Sequence, residues 1–164
     1  MRSEATTQFK TLVLATLAAL AIQPLVLLFM LVWTASLNTT WVEPGQMVQT
    51  VLVALLVATG FIVVFFWPTF FVLRRLGWFN RASAALAGFV ISGAPALLAC
   101  FIGRSFSGVS YQSTWHGQTI QMVANNQVTT AGFLLYAELV VLTGLHGLAG
   151  ALAFHYVWRR RIGD

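Results

Sequence analysis

A chain of 164 residues is about one domain long. Its composition, 59% hydrophobic and 8% charged, excludes an ordinary soluble domain, in which roughly 25% of residues carry a charge. The formal net charge of +5 does not point to nucleic acid, because the basic residues sit at the ends of apolar runs instead of clustering on a solvated surface.

The first ten residues, MRSEATTQFK, are polar. The apolar run that follows, about residues 11–36, is longer than the roughly 7–15 residues of a signal-peptide core and suits a tilted span of about 20 residues. It reads as an uncleaved first helix. A short connection carries the turn formers Asn38, Pro44 and Gly45, with Glu43 as its only charge. The second span covers about 48–73 and runs into Arg74 and Arg75. Gly77 and Asn80 mark a tight link that ends at Arg81. The third span, about 82–102, is rich in alanine and glycine, which lets helices approach closely in lipid.

Residues 103–129 form the longest polar segment, with Arg104 as its only charge. Thr119–Met122 alternates, and His116-Gly117 and Asn125-Asn126 are turn dipeptides, so a small β-hairpin capping the bundle outside the membrane is expected. The fourth span, about 130–156, ends in Arg159, Arg160 and Arg161. Cys100, the single cysteine, lies in an apolar run and reads as a small buried hydrophobe; it has no partner for an intrachain disulfide or a zinc site.

Orientation follows from the basic residues. Arg2, Lys10, Arg74, Arg75, Arg81, Arg159, Arg160 and Arg161 belong to the two termini and the link between spans two and three, whereas the other two loops hold only Arg104. The positive-inside rule then puts both termini in the cytoplasm. Trp33 and Trp41 fall near the outer boundary and Trp78 and Trp158 near the inner one, as an aromatic belt requires, while Trp67 lies deeper.

Few residues inside the spans could carry chemistry. Glu138 is the only acidic one, and an intramembrane carboxylate needs a partner or a wet cavity. Arg104 is the one opposite charge on that side, so a Glu138–Arg104 helix anchor is one reading and a proton or cation site is the other. His146 lies near mid-membrane among Gly144, Gly147, Gly150 and Ala151, small residues that mark a tight helix contact. Pro24, Pro68 and Pro95 each remove a backbone bond and kink a helix. Gln23 could bond a freed carbonyl or a neighbouring helix, and is the polar group best placed to bridge Glu138 and His146.

Cofactor chemistry finds no support in the pattern. His146 and His155 are nine residues apart on one helix and, at about 100° per residue, point to opposite faces, which argues against a two-histidine haem site within one chain. There is no GxSxG, HExxH, P-loop or carboxylate pair. No internal repeat suggests an inverted-repeat transporter. The stretch RRLGWFNRASAALAGFVISGAPALL resembles the inside link and helix of many small bacterial inner-membrane proteins and contains no specific motif.

The expected fold is thus an all-α bundle of four transmembrane helices with a small outer cap. The expected role is a non-enzymatic accessory or interaction subunit, without cofactor or nucleic acid, packed against another membrane protein or against itself. The alternative is a small proton- or cation-coupled transporter or channel that uses Glu138.

Overall fold

The computed structural model describes residues 2–38, 44–102 and 110–162, with side chains for 6–32, 45–98 and 110–162. Arg104, Trp41 and the side chains of Trp33 and Cys100 lie outside the described residues. Helix α1 spans Arg2–Asn38. The second long helix has three parts: α2, Pro44–Phe61; a π-helical turn, Ile62–Phe66; and α3, Trp67–Arg75. Helix α4 covers Arg81–Ile102 and α5 covers Thr130–Ile162. Among the described residues, four helices are long and apolar enough to cross a membrane. Helices α1 and α5 continue past their apolar runs into polar flanks, so α1 begins well before residue 11 and α5 ends after 156.

The π-helical turn has a local cause. Pro68 lacks an N–H, and its ring crowds the carbonyl four residues back. The helix widens just upstream, at Ile62–Phe66, and resumes with Pro68 in its first turn.

The link to α4 turns at Gly77, whose φ of +71° suits glycine. Asn80 then caps α4 reciprocally. Its Oδ1 accepts from the Ser83 N–H and its own N–H donates to Ser83 Oγ, each at 3.0 Å.

Helices α4 and α5 pack closest. A side-chain carbon at Gly88 would overlap Ala151 and the Gly147 backbone, and one at Gly147 would overlap Ser92 and the Gly88 carbonyl. One turn or more along, Gly93 meets Val140 and Gly144 lies under the Phe89 ring. In lipid, where apolar burial gives helices little mutual attraction, such backbone proximity supplies the van der Waals contact.

The main hydrophobic core sits at the end of the bundle that bears the arginines. Leu12, Ala15 and Ala19 of α1 meet Phe66, Phe70, Ala151, Phe154 and Trp158. Phe70 is fully buried and edge-on to Phe79, Phe154 and Trp158, with centroids 4.8, 5.2 and 4.7 Å away. Trp158, expected in a lipid-facing belt, is instead buried, with the Arg74 guanidinium 5.0 Å from its centroid. Trp67 accounts for its depth by donating its indole N–H to Thr16 Oγ1 at 3.1 Å.

The cap is a three-stranded antiparallel sheet, β1 (Tyr111–Trp115), β2 (Gln118–Ala124) and β3 (Gln127–Val128), in order β1-β2-β3. His116 and Gly117, and Asn125 and Asn126, all have positive φ, which two-residue hairpin turns of the I′ kind require. The expected hairpin is present and a short third strand extends it. Met122 is fully buried, and Thr129 Oγ1 donates to Gln121 O at 2.6 Å while accepting from the Gly132 N–H at 3.1 Å. The sheet is thereby fastened to the start of α5.

Candidate functional site

Away from the basic end of the bundle two polar places stand out, and they are separate. The first surrounds Glu138, eight residues into α5 and so about 12 Å along the helix from Thr130. Strand β1 brings Trp115 and the following turn residue His116 over it. Glu138 Oε2 accepts the Trp115 indole N–H at 2.6 Å and lies 3.1 Å from His116 Nε2. The two rings touch, with centroids 4.6 Å apart. The His116 and Glu138 side chains are 45% and 25% exposed, so this is a half-solvated cluster at the sheet–helix junction.

The described partners of the Glu138 carboxylate are an indole and an imidazole of the cap, while Arg104 lies outside the described residues. From Glu138 to Arg159 is 21 residues, about 31 Å of helix, which matches a hydrocarbon core of about 30 Å.

The second place is a cavity of about 60 Å³ where all four long helices converge. Its polar lining comes from Gln23 on α1, Ser92 on α4 and His146 on α5, and its apolar lining includes Ile62 and Phe66 of the π-helical turn. The volume is large enough to admit water, which needs roughly 10–15 Å³ of such space. Gln23 is buried, and its Nε2 donates to Ala19 O at 3.0 Å, within its own helix and not across to another. Its Oε1 is buried with no protein partner. Gly150 makes room for the amide, because a side chain there would meet Gln23 Nε2.

The candidate residues of the sequence are therefore divided. Gln23 and His146 share the cavity, framed by Gly147, Gly150 and Ala151, whereas Glu138 does not line it. A chain Glu138–Gln23–His146 is not assembled. Gly144 belongs to the α4 contact through Phe89. Pro24 follows Gln23 in α1, Pro68 follows the π-helical turn, and Pro95 lies within α4 three residues after Ser92. His155, on a face of α5 away from the cavity, is buried against Phe79 at 5.3 Å between ring centroids.

Sequence reasoning missed Trp115, His116 and Ser92 as site residues. Trp115 and His116 meet Glu138 only because β1 folds back on α5, a pairing across 22 and 23 residues that local pattern does not encode. A serine in an Ala/Gly-rich span, at a depth in its span comparable to those of Gln23 and His146, was the available signal for Ser92.

Among the described residues, no three of His, Cys, Asp and Glu converge as metal ligands would. Comparison with known proteins finds no matching family model, no matching curated protein and no matching solved structure.

Proposed function

We propose that this chain is a non-enzymatic accessory or interaction subunit of a cell inner membrane, with both termini in the cytoplasm, that packs against a transmembrane helix of another membrane protein. One observation carries this reading. Among the described side chains of α2, none is buried, while α1, α4 and α5 all contribute to the buried interior. Val48, Leu52 and Leu56 lie along an outward stripe at spacings of four, each at least 61% exposed. Gly60 lies in the same stripe, and a side chain there would have nothing within 4 Å. Helices in lipid associate by close packing around small residues. A partner helix seated over Gly60 would supply the packing that α2 lacks within its own chain.

The cytoplasmic assignment draws on the basic end of the bundle, where Arg74, Trp158, Arg81, Arg159 and Arg160 lie together, opposite the sheet and Glu138. The transport alternative has weaker support, because Glu138 is held by Trp115 and His116 and stands apart from the cavity that holds Gln23 and His146.

The test uses Gly60→Leu. The substitution has room in the chain itself, so the purified variant should keep the parent's helical content and thermal midpoint. A stoichiometric partner that copurifies with the parent in mild detergent should be lost from the variant. Recovery of the parent only as a monomer or as a self-oligomer would refute the partner reading.

A further inference from the structure

The basic end of the bundle holds a cleft of about 500 Å³, lined by Arg81, Leu152, His155, Tyr156, Arg159 and Arg160. Its shape comes from two helix ends. Arg81 is the first residue of α4, while Arg159 and Arg160 fall in the last turn of α5. The volume lies in the range of small-molecule sites, roughly 300–1,000 Å³. Three guanidinium groups line one concave surface. The sole carboxylate among the described side chains, Glu138, is at the other end of α5, and the one ion pair among the described residues is His116–Glu138. The three charges are thus unneutralised by this part of the chain.

We propose that this cleft binds a phosphate-bearing anion, in first place the headgroup of an anionic phospholipid. Arginine favours phosphate because its planar fork can offer two parallel N–H donors to two oxygens. The start of α4 adds the positive end of a helix dipole. Arg160 Nη1 donates to the Tyr156 hydroxyl oxygen at 3.4 Å, which leaves the phenolic O–H free to donate in turn to a bound oxygen. The lining is also amphipathic in the way a lipid is. Leu152 gives the cleft an apolar wall. Leu145, seven residues earlier and therefore on nearly the same helix face, continues it toward the hydrocarbon with 49% exposure. A free phosphate would use the arginines alone. A lipid would use the arginines and the leucines. Basic pockets between membrane helices are a general solution for holding acidic headgroups.

The proposal rests on the helices being embedded in a membrane and not on a partner at α2. A failed partner test leaves it standing, and its own failure leaves the α2 reading standing.

Native mass spectrometry of the full chain in detergent, with phosphatidylglycerol against phosphatidylcholine, tests it. Phosphatidylglycerol should be retained at least about tenfold more strongly. Arg81→Gln with Arg159→Gln should abolish that preference. Arg75→Gln with Arg161→Gln removes the same charge outside the cleft and should leave the preference intact. Circular dichroism of each variant checks the fold, and the single Arg160→Gln replaces the double variant if that one does not fold. Soluble glycerol 3-phosphate forms a separate arm. If it competes fully with the lipid, the phosphate site stands and its source is a soluble phosphate. If it competes weakly, the lipid is the ligand. Equal retention of the two lipids, or an equal loss in the outside pair, would overturn the site in favour of diffuse surface charge.

Discussion

The Trp115 indole N–H points at the Glu138 carboxylate across 2.6 Å, and this bond ties the end of β1 to the second turn and beyond of α5. The contact joins the cap to the bundle through a charged acceptor, the stronger kind of hydrogen bond. With Thr129 bonded to the Gln121 carbonyl, it gives the sheet two separate attachments to one helix.

Trp115→Phe should therefore loosen the cap more than the bundle. The ring area is largely kept, the donor is lost, and the cost should be about 1 kcal/mol at this half-solvated position. Glu138→Gln should cost less, since the amide oxygen can still accept from Trp115. Proteolysis of the intact protein at the cap reads this out: cleavage within 110–128 should accelerate in Trp115→Phe and change little in Glu138→Gln. Faster cleavage in neither would show that the Thr129 attachment suffices.

The glycines divide by what surrounds them. Gly147→Val should separate α4 from α5, because even one added carbon overlaps Ser92 and the Gly88 carbonyl. A loss of about 3 kcal/mol or more, or failure to assemble, is expected. Gly60→Ala meets nothing within 4 Å and should be neutral or stabilising by up to about 1 kcal/mol. Thermal unfolding in detergent compares the two. Similar midpoints would contradict the close α4–α5 contact.

The four long helices were legible in the sequence because spans depend on apolar length, which composition alone reports. The turns His116-Gly117 and Asn125-Asn126 were legible because few residue pairs accept two positive φ values in succession. The π-helical turn was not. Pro68 signals a disturbance, but whether the helix bends or widens depends on the neighbours packed against Phe66 and Ile62. The partners of Glu138 were not legible either, because Trp115 and His116 reach it only through the fold of β1 onto α5. The cavity was half legible: Gln23 and His146 were singled out, but only the tertiary arrangement brings them to one wall with Ser92.

Gln23 offers a test of the cavity that does not require a ligand. Its buried Oε1 has no protein partner, and such an acceptor left unsatisfied costs roughly 1–3 kcal/mol. If it is unsatisfied, Gln23→Leu should keep or raise the thermal midpoint in detergent. A clear fall in the midpoint would show that the amide is bonded through water or another molecule held in the cavity.

Orientation can be mapped independently. Reporter fusions after Gly77 and after Ile162 should lie in the cytoplasm, and one at Gly117 should lie outside, because the basic residues of three helices gather at one end and the sheet lies at the other. A Gly117 fusion on the cytoplasmic side would reverse the whole assignment.

The exposed stripe of α2 is the centre of the account, and photo-crosslinking in intact cells examines it most directly. A photoreactive amino acid would replace Leu52, Leu56 or Gly60 on the stripe, and Leu145 on α5 as an exposed apolar control. The account predicts one discrete protein adduct of the same mass from the α2 positions, strongest at Leu56 and Gly60, absent at Leu145, and lost when Gly60→Leu is introduced beside a probe at Leu52. Adducts with lipid alone at every α2 position, or adducts of equal strength at Leu145, would contradict it.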